Sequence, residues 1–192
     1  MQAHLLEGLI RYAGLRAPNG ALVWVAADAE AIVRISPGRQ EKQFRQEMAR
    51  LAGRQPVLRP QDRLVREALA QLQEYFAGIR QAFELPVKLA GSPFQLRVWR
   101  ALAQIPYGQT RSYREVALAA GSARGARAAG SACGANPVAI VVPCHRVVRS
   151  DGAPGGYGGG REFKRFLLDL EDSVKAGLPP RPNARSRRRR GP

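Results

Sequence analysis

The sequence has 192 residues and is 45% hydrophobic, so it can form one domain or two small ones with a core that folds alone. It has no apolar run near the roughly 20 residues of a membrane span and no signal-peptide pattern. Two cysteines are too few for a disulfide scaffold, and together with two histidines they leave few ligands for structural zinc. We therefore expect a metal-free protein of the reducing cytosol. The net charge of +16 favours a polyanion partner, most commonly nucleic acid, although solubility is an alternative reason for such a charge.

The first part of the chain alternates short apolar runs with turn signals. Strands are predicted at Leu22–Val25 and Ala31–Ile35, and the turn Pro18-Asn19-Gly20 implies another strand near Leu9 to Leu15. Residues 61–77 then change to helical spacing, followed by an extended stretch at 83–89. The pattern predicts a small antiparallel sheet with a helix, ending at a boundary near Ala90-Gly91.

The second half is predicted to be mostly helical. Ser92 and Ser112 each begin a capping box, which places helix starts at those two residues. A third helix, from about Ala123, is rich in small residues and carries Arg124 and Arg127 as its only long side chains. Two short helices joined by a tight turn suggest a helix-turn-helix, and the alternative is an internal packed helix with two surface arginines.

The apolar run at 138–142 is predicted to be a buried strand that leads to Cys144 and His145. A nearby base or positive charge activates a cysteine, and His145 and Arg146 could supply either. Adjacent side chains on a strand point to opposite faces, so contact between Cys144 and His145 requires a turn or a bridging water. Cys133 is interpreted as packing in an alanine-rich helix.

Three features complete the chain. A glycine-rich stretch at 152–160 lacks a phosphate-loop pattern and is either a linker or a loop that approaches a ligand by its backbone. A last helix, 161–174, has Glu171 at the edge of its apolar stripe. Residues 178–192 are predicted to be a disordered arginine-rich tail; from Pro179 they hold six arginines, and the rest of the chain keeps a net charge of +10.

A five-residue motif, Pro143-Cys144-His145-Arg146-Val147, resembles the active-site signature of the O6-alkylguanine-DNA alkyltransferases, which are also called methylated-DNA–protein-cysteine methyltransferases. The resemblance covers about residues 91–172 and is looser before them. Its other matching segments are Phe94-Gln95, Val98-Trp99, Ile105-Pro106-Tyr107-Gly108, Thr110-Arg111-Ser112-Tyr113, Ala126-Arg127-Ala128, Asn136-Pro137, the loop Gly155 to Gly160, and Leu167-Leu168 with Glu171.

The resemblance implies a ribonuclease-H-like α/β domain at 1–90, with a small antiparallel sheet plus helix. It then implies a mainly α, winged-helix-like helix-turn-helix domain at 91–177. It implies a single-turnover enzyme that moves the alkyl group of O6-alkylguanine, and of O4-methylthymine, from double-stranded DNA to its own cysteine. We expect a monomer without cofactor, in the cytoplasm or, in a eukaryote, the nucleus.

The resemblance also assigns roles to residues. It implies that a Cys144–water–His145–Glu171 relay prepares the thiolate and that Tyr113 serves the leaving guanine. Asn136 would be a hinge that ties the recognition helix to the active-site strand; the alternative is an ordinary turn at Asn136-Pro137. The remaining implied positions are, for DNA, Arg127 as the finger that fills the stack after base flipping, with Ser112, Arg124, Ala126, Ala128 and Gly130, and, for the flipped base, Tyr157, Gly155, Val147 and Gly158.

Two departures from the family pattern bear on substrate range. Gly158 stands where the family often has a serine, so a side-chain donor to the base is lost. Cys133 stands at a position where the family usually has another residue type. Two other functions remain open from the residues alone. A damage-binding protein would leave Cys144 chemically unused, and a cysteine hydrolase built on Cys144, His145 and Asn136 would turn over without needing Arg127.

Overall fold

The N-terminal half is built on a four-stranded sheet in the order β3-β2-β1-β4. The computed structural model describes residues 8–180. The strands β1 (Arg11–Arg16), β2 (Leu22–Ala27) and β3 (Ile32–Pro37) pair antiparallel, which confirms the three predicted strands, and β4 (Val57–Leu58) adds a short parallel edge beside β1.

One helix on this sheet was not predicted. Helix α1 (Glu41–Ala52) buries Phe44, Met48 and Ala52, a four-residue spacing that is itself a helical signal. These side chains cover the sheet face that carries Tyr12 and Trp24. The opposite face takes α2 (Arg63–Phe76), whose position confirms the predicted helix at 61–77.

The C-terminal half is helical, as predicted. Helices α3 (Pro93–Ala103) and α4 (Tyr113–Ala119) start at the two capping boxes, with Ser92 and Ser112 as the N-caps. Helix α6 (Arg161–Lys175) is the last element of the described residues. The short strands β5 (Arg111–Ser112) and β6 (Val147–Val148) pair in parallel.

Two predictions in this half were wrong in detail. Helix α5 (Ala126–Gly134) begins at 126 rather than about 123, because the preceding residues form a turn in which Gly125 N–H donates to the Ser122 carbonyl. Residues 138–142 are buried, as expected, except for the half-buried Val141, but they form a turn instead of a strand. The Val142 N–H donates to the Val138 carbonyl, and Ile140 between them has a φ of 76°.

Strand β3 is where the two halves meet. On one side, Ile32 exchanges backbone hydrogen bonds with Pro86 and Lys88 of the connecting stretch. Further along, Ile35 N–H donates to the Pro137 carbonyl at 2.9 Å, and the Ala139 N–H donates to Ile35 at 3.2 Å. The segment that leads to Cys144 is therefore fixed directly to the N-terminal sheet.

The predicted tail falls largely outside the described residues, which end at 180. Within residues 8–180, no helix is long and apolar enough to cross a membrane.

Candidate active site

Cys144 and His145 lie in a 3-10 turn, Cys144–Arg146, at the end of the buried segment. The Cys144 N–H donates to Val142 at 2.8 Å and the Arg146 N–H donates to Pro143 at 3.0 Å. A turn removes the strand alternation that would send adjacent side chains to opposite faces. It thereby provides one of the two arrangements that the sequence required for a Cys144–His145 site.

Asn136 connects the end of α5 to this turn. Its side-chain Nδ2 donates to the Val142 carbonyl at 2.8 Å and to Cys144 Sγ at 3.1 Å, while its Oδ1 accepts from the Val138 N–H at 3.1 Å. Three bonds from one buried amide fix the position of the sulfur relative to α5. The donor to Sγ favours the thiolate over the thiol.

His145 and Glu171 form a fully buried pair. His145 Nε2 lies 2.9 Å from Glu171 Oε1, and the two side chains are 0% and 1% exposed. A carboxylate at Nε2 keeps the ring proton on that nitrogen, which leaves Nδ1 as the basic nitrogen. Within the described residues Nδ1 has no hydrogen-bond partner.

The electrostatics of this pair suit a neutral base. Burial lowers the pKa of His145, partly opposed by Glu171, so the imidazole is uncharged at neutral pH. Burial alone would raise the pKa of Glu171, but the hydrogen bonds and charges of His145 and Arg146 outweigh it and lower that pKa to about 2. Glu171 is thus a permanent carboxylate that orients His145.

Arg146 has a different role from the one that the sequence suggested. Its guanidinium binds both oxygens of Glu171, from Nε at 3.1 and 3.0 Å and from Nη2 at 2.9 Å, and Nη1 donates to the Ile105 carbonyl at 2.7 Å. It is therefore engaged with Glu171 instead of activating Cys144 directly. The Gly108 N–H, at 2.9 Å from Oε2, and the Tyr75 hydroxyl, at 2.7 Å from Oε1, complete the carboxylate's partners.

Burial raises the pKa of the Cys144 thiol, while the Asn136 hydrogen bond and the charge of Lys164 act against this increase. The resting cysteine is therefore a thiol that needs a base. Sequence reasoning missed Lys164, which is 0% exposed, donates to the Val147 carbonyl and lies 5.8 Å from the centre of the Tyr113 ring. Its spacing from Leu167 and Glu171 places it on the buried face of α6, and this signal was present in the sequence.

An open cleft of about 660 Å³ borders this region. It brings together the glycine loop, one side of α5 along its length, and Tyr113. Its lining consists of Tyr113, Arg127, Gly130, Ser131, Gly134, Arg149, Gly155, Gly156, Tyr157 and Gly158. Six of these were predicted site residues, whereas Val147 was predicted for the base but is fully buried and does not line the cleft.

The glycines of the cleft differ in what they allow. A Cβ at Gly155 would lie 2.3 Å from the Tyr113 hydroxyl, so only glycine lets the loop approach this tyrosine. A Cβ at Gly158 would meet nothing within 4 Å, so there is room at this position for the serine that the family often has. The Tyr157 ring stacks on Phe163 at 6.2 Å, which anchors the loop to α6.

The remaining predicted DNA contacts lie at the surface around α5. Arg124, Arg127 and Ala128 are exposed, and Ala126 is half-buried. Ser112 is occupied as the N-cap of α4, where its hydroxyl accepts from the Glu115 N–H. Sequence reasoning missed the exposed Arg149, which adds a second cation to the wall of the cleft.

The described residues contain no group of three His, Cys, Asp or Glu side chains that could hold a metal ion. The site offers a thiol, a neutral imidazole and a fixed carboxylate beside a basic cleft.

Comparison with known proteins places this arrangement in a family. Residues 93–173 match the profile described as 6-O-methylguanine DNA methyltransferase, DNA binding domain, and residues 10–89 match that family's ribonuclease-like domain. Among curated proteins, the methylated-DNA–protein-cysteine methyltransferase of Methanosarcina barkeri is 49% identical over 108 residues, 56% of this chain and 68% of the relative. That of Mycobacterium tuberculosis H37Rv is 54% identical over 106 residues, 55% of this chain and 64% of the relative. The matched segments thus span about two thirds of these relatives.

Solved structures agree over a larger part of the chain. The Mycobacterium tuberculosis O6-methylguanine methyltransferase has a TM-score of 0.75 at 38% identity and covers 86% of this chain and 94% of its own. The complex of the same organism's protein with DNA has a TM-score of 0.71 at 39% identity, covering 88% and 95%. These likenesses confirm the predicted fold class of an α/β domain followed by a helical domain. The chain belongs to the 6-O-methylguanine DNA methyltransferase family.

Proposed function

We propose that this chain repairs double-stranded DNA by irreversible transfer of the alkyl group of O6-alkylguanine, and of O4-methylthymine, to Cys144. The observation that carries the proposal is the placement of Cys144 in a buried turn with His145 and Glu171, beside a basic cleft. A relative of known structure binds DNA, which supports DNA as the partner here. The protein would act as a monomer in the cytoplasm, with the alkyl-transfer domain at 91–177 and the N-terminal domain at 1–90.

The reaction is a displacement at the alkyl carbon. The proton of Cys144 passes through one bridging water to His145 Nδ1, and Glu171 stabilises the resulting imidazolium. The Cys144 sulfur forms a bond to the alkyl carbon as the bond from that carbon to O6 breaks, and the electron pair leaves with the guanine. The Tyr113 hydroxyl donates its proton to the leaving guanine, and the imidazolium of His145 balances the charge of the phenolate until solvent returns a proton to Tyr113.

No second turnover follows, because the product at Cys144 is a thioether. A thioether has no acyl carbon for water to attack, unlike the thioester of a cysteine hydrolase. A hydrolase that orients its histidine through Asn136 would need a hydrogen bond between Asn136 and His145. Asn136 instead donates to Cys144 Sγ. The geometry therefore favours transfer over hydrolysis.

Access to the reacting atom requires that the base leave the duplex. We infer that α5 enters the minor groove, because its exposed face carries small side chains that permit close approach. Arg127 would fill the stack, while Arg124 and Arg149 would bind phosphates. The cleft between α5 and the glycine loop would receive the flipped base against Tyr157, Gly155 and Gly158.

Intact-mass measurement after incubation with a duplex that contains one O6-methylguanine tests the proposal. The protein is expected to gain the mass of one methyl group, and the gain should stop at one equivalent however long the incubation. A pure damage-binding protein would show no gain, and a hydrolase would release product repeatedly while its own mass stayed the same. Either result would contradict the proposal.

The finger role of Arg127 predicts a difference between two substrates. Arg127→Ala should slow transfer from duplex DNA by about 10- to 100-fold, because flipping costs a few kcal/mol that the finger offsets. Transfer from free O6-benzylguanine should be almost unchanged, since a free base needs no extrusion. The measurement is a pair of single-turnover rates.

Arg50→Ala is the charge-matched control, because Arg50 is exposed on α1, on the face of the sheet remote from α2. It should change neither rate beyond a small effect of net charge. Equal slowing of Arg127→Ala on both substrates would place Arg127 outside the flipping step.

A further inference from the structure

Tyr75 brings a group of the N-terminal domain into the active site. It lies near the end of α2, is 0% exposed, and donates its hydroxyl proton to Glu171 Oε1 at 2.7 Å. The same hydroxyl oxygen lies 3.4 Å from His145 Nε2. It therefore contacts both members of the pair that prepares Cys144, across 96 residues of sequence to Glu171.

The ring of Tyr75 is fixed independently of this hydrogen bond. It packs against Phe83 at 5.4 Å and edge-on against Tyr107 at 6.0 Å, and it also contacts its neighbour Phe76. The hydroxyl is thus held in place by packing that a phenylalanine would preserve. Its removal would delete one hydrogen bond without opening a cavity of any size.

The contact bears on the protonation of His145. The Tyr75 proton points to Glu171, so only a lone pair of its oxygen can face His145 Nε2. Both Glu171 and Tyr75 therefore present acceptors to Nε2, which holds the ring proton there and keeps Nδ1 free. Burial and the Glu171 charge raise the pKa of Tyr75 well above its ordinary value, so it remains a donor.

We propose that Tyr75 is a positioning residue for the reaction, acting through Glu171 and His145 to keep Nδ1 ready for the Cys144 proton. The assignment rests on the proposed function. It makes the N-terminal domain a contributor to the chemistry, since that domain supplies one of the hydrogen bonds on the carboxylate. In the part of the chain that the structure describes, the Tyr75 hydroxyl contacts Glu171 and His145 and makes no hydrogen bond to the Cys144 sulfur.

The effect of the hydroxyl on pH dependence has a definite sign. The charged and titratable groups around His145 are Glu171 and Lys164 of α6, Arg146 and Cys144 of the turn, and Tyr75 of α2. Tyr107 and Tyr157 are also close enough for the charge of Glu171 to help raise their pKa values. The Tyr75 donor disperses part of the Glu171 charge. Without it the carboxylate would stabilise the imidazolium more strongly, and His145 would keep its proton to higher pH.

Tyr75→Phe in the full chain tests this role, with single-turnover transfer from free O6-benzylguanine followed against pH. At neutral pH the rate should fall about tenfold, the effect of one lost hydrogen bond to a charged group. The acid limb of the profile should move to higher pH by roughly half a unit. An unchanged rate and profile would overturn the assignment.

Tyr12→Phe is a matched control, because Tyr12 also donates to a carboxylate, Glu41, at 2.7 Å, but in the cluster on the other face of the sheet. It should lower thermal stability to a similar degree while leaving the rate and the acid limb unchanged. If both variants alter the rate equally, the effect of Tyr75 is one of stability only, and the proposal fails.

A second variant covers the case in which Tyr75→Phe does not fold. Replacement of Tyr75 by 3-fluorotyrosine keeps the hydroxyl and makes it a stronger donor, so the acid limb should move to lower pH. A limb that stays in place would overturn the role of Tyr75. Absence of methyl transfer by the unmodified protein would instead overturn the proposed function, so the two failures are distinguishable.

Discussion

Replacement of Cys144 by serine is expected to reduce alkyl transfer by at least about a thousandfold, because a serine hydroxyl is far harder to deprotonate and is a weaker nucleophile than a thiol. Serine is close to cysteine in volume, and its oxygen can still accept the Asn136 hydrogen bond that now goes to Sγ. The fold should therefore persist. Intact mass and peptide mapping after incubation with O6-methylguanine DNA measure the loss.

The second cysteine is an internal control for this result. Burial raises the pKa of Cys133 to about 12, and within the described residues its thiol has no counterpart of the Asn136 hydrogen bond. Cys133→Ser should retain transfer, and mapping should place the methyl group on Cys144 alone. Methylation of the Cys144→Ser protein at a rate comparable with the original would rule out Cys144 as the acceptor.

Local signals predicted the elements that begin with a capping residue or alternate regularly. Ser92 and Ser112 define the starts of α3 and α4 because their hydroxyls bind backbone groups only three residues away. The segment 138–142 shows the limit of such reasoning, since its apolar run indicates burial but not shape. Its single bridge to Ile35 and the turn at Ile140 depend on the N-terminal sheet, which no local pattern describes.

The site divides in the same way. Cys144, His145 and Glu171 could be predicted as site residues because a short motif and a family resemblance pointed to them. Tyr75 could not, because its place in the site depends on packing between two domains. Lys164 and Arg146 are charged side chains, which are usually found at the surface. Both are buried here because each has an acceptor: the Val147 carbonyl for Lys164 and the Glu171 carboxylate for Arg146.

The buried ion pair of Arg146 and Glu171 links the geometry of the site to the stability of the fold. Two carboxylate oxygens bind one guanidinium in a region that is almost completely buried, with side-chain exposures of 8% and 1%. Such a pair contributes little net stability over an apolar pair, but loss of one partner leaves the other charge uncompensated. The geometry that orients His145 is therefore also sensitive to a single substitution in this pair.

Glu171→Gln should consequently lower the free energy of unfolding at neutral pH by about 3 to 5 kcal/mol, since Arg146 would remain buried without its counter-charge. The size of the side chain is unchanged, so the loss reports charge instead of packing. Alkyl transfer should fall as well, because a neutral amide cannot stabilise the imidazolium of His145. Urea unfolding and single-turnover rates on the same preparation measure both effects.

The pH dependence of that stability difference separates the charge from other causes. The pKa of Glu171 is lowered from 4.5 to about 2 in the folded protein, so its contribution is fully present above pH 4.5 and is lost as pH falls towards 2. The gap between the original protein and Glu171→Gln should narrow over that interval. Glu41→Gln removes the carboxylate that accepts from Tyr12 at a partly exposed position, and should cost no more than about 1 kcal/mol. A gap for Glu171→Gln that stays constant from neutral pH to the acid end would show that the carboxylate charge is not what stabilises this site.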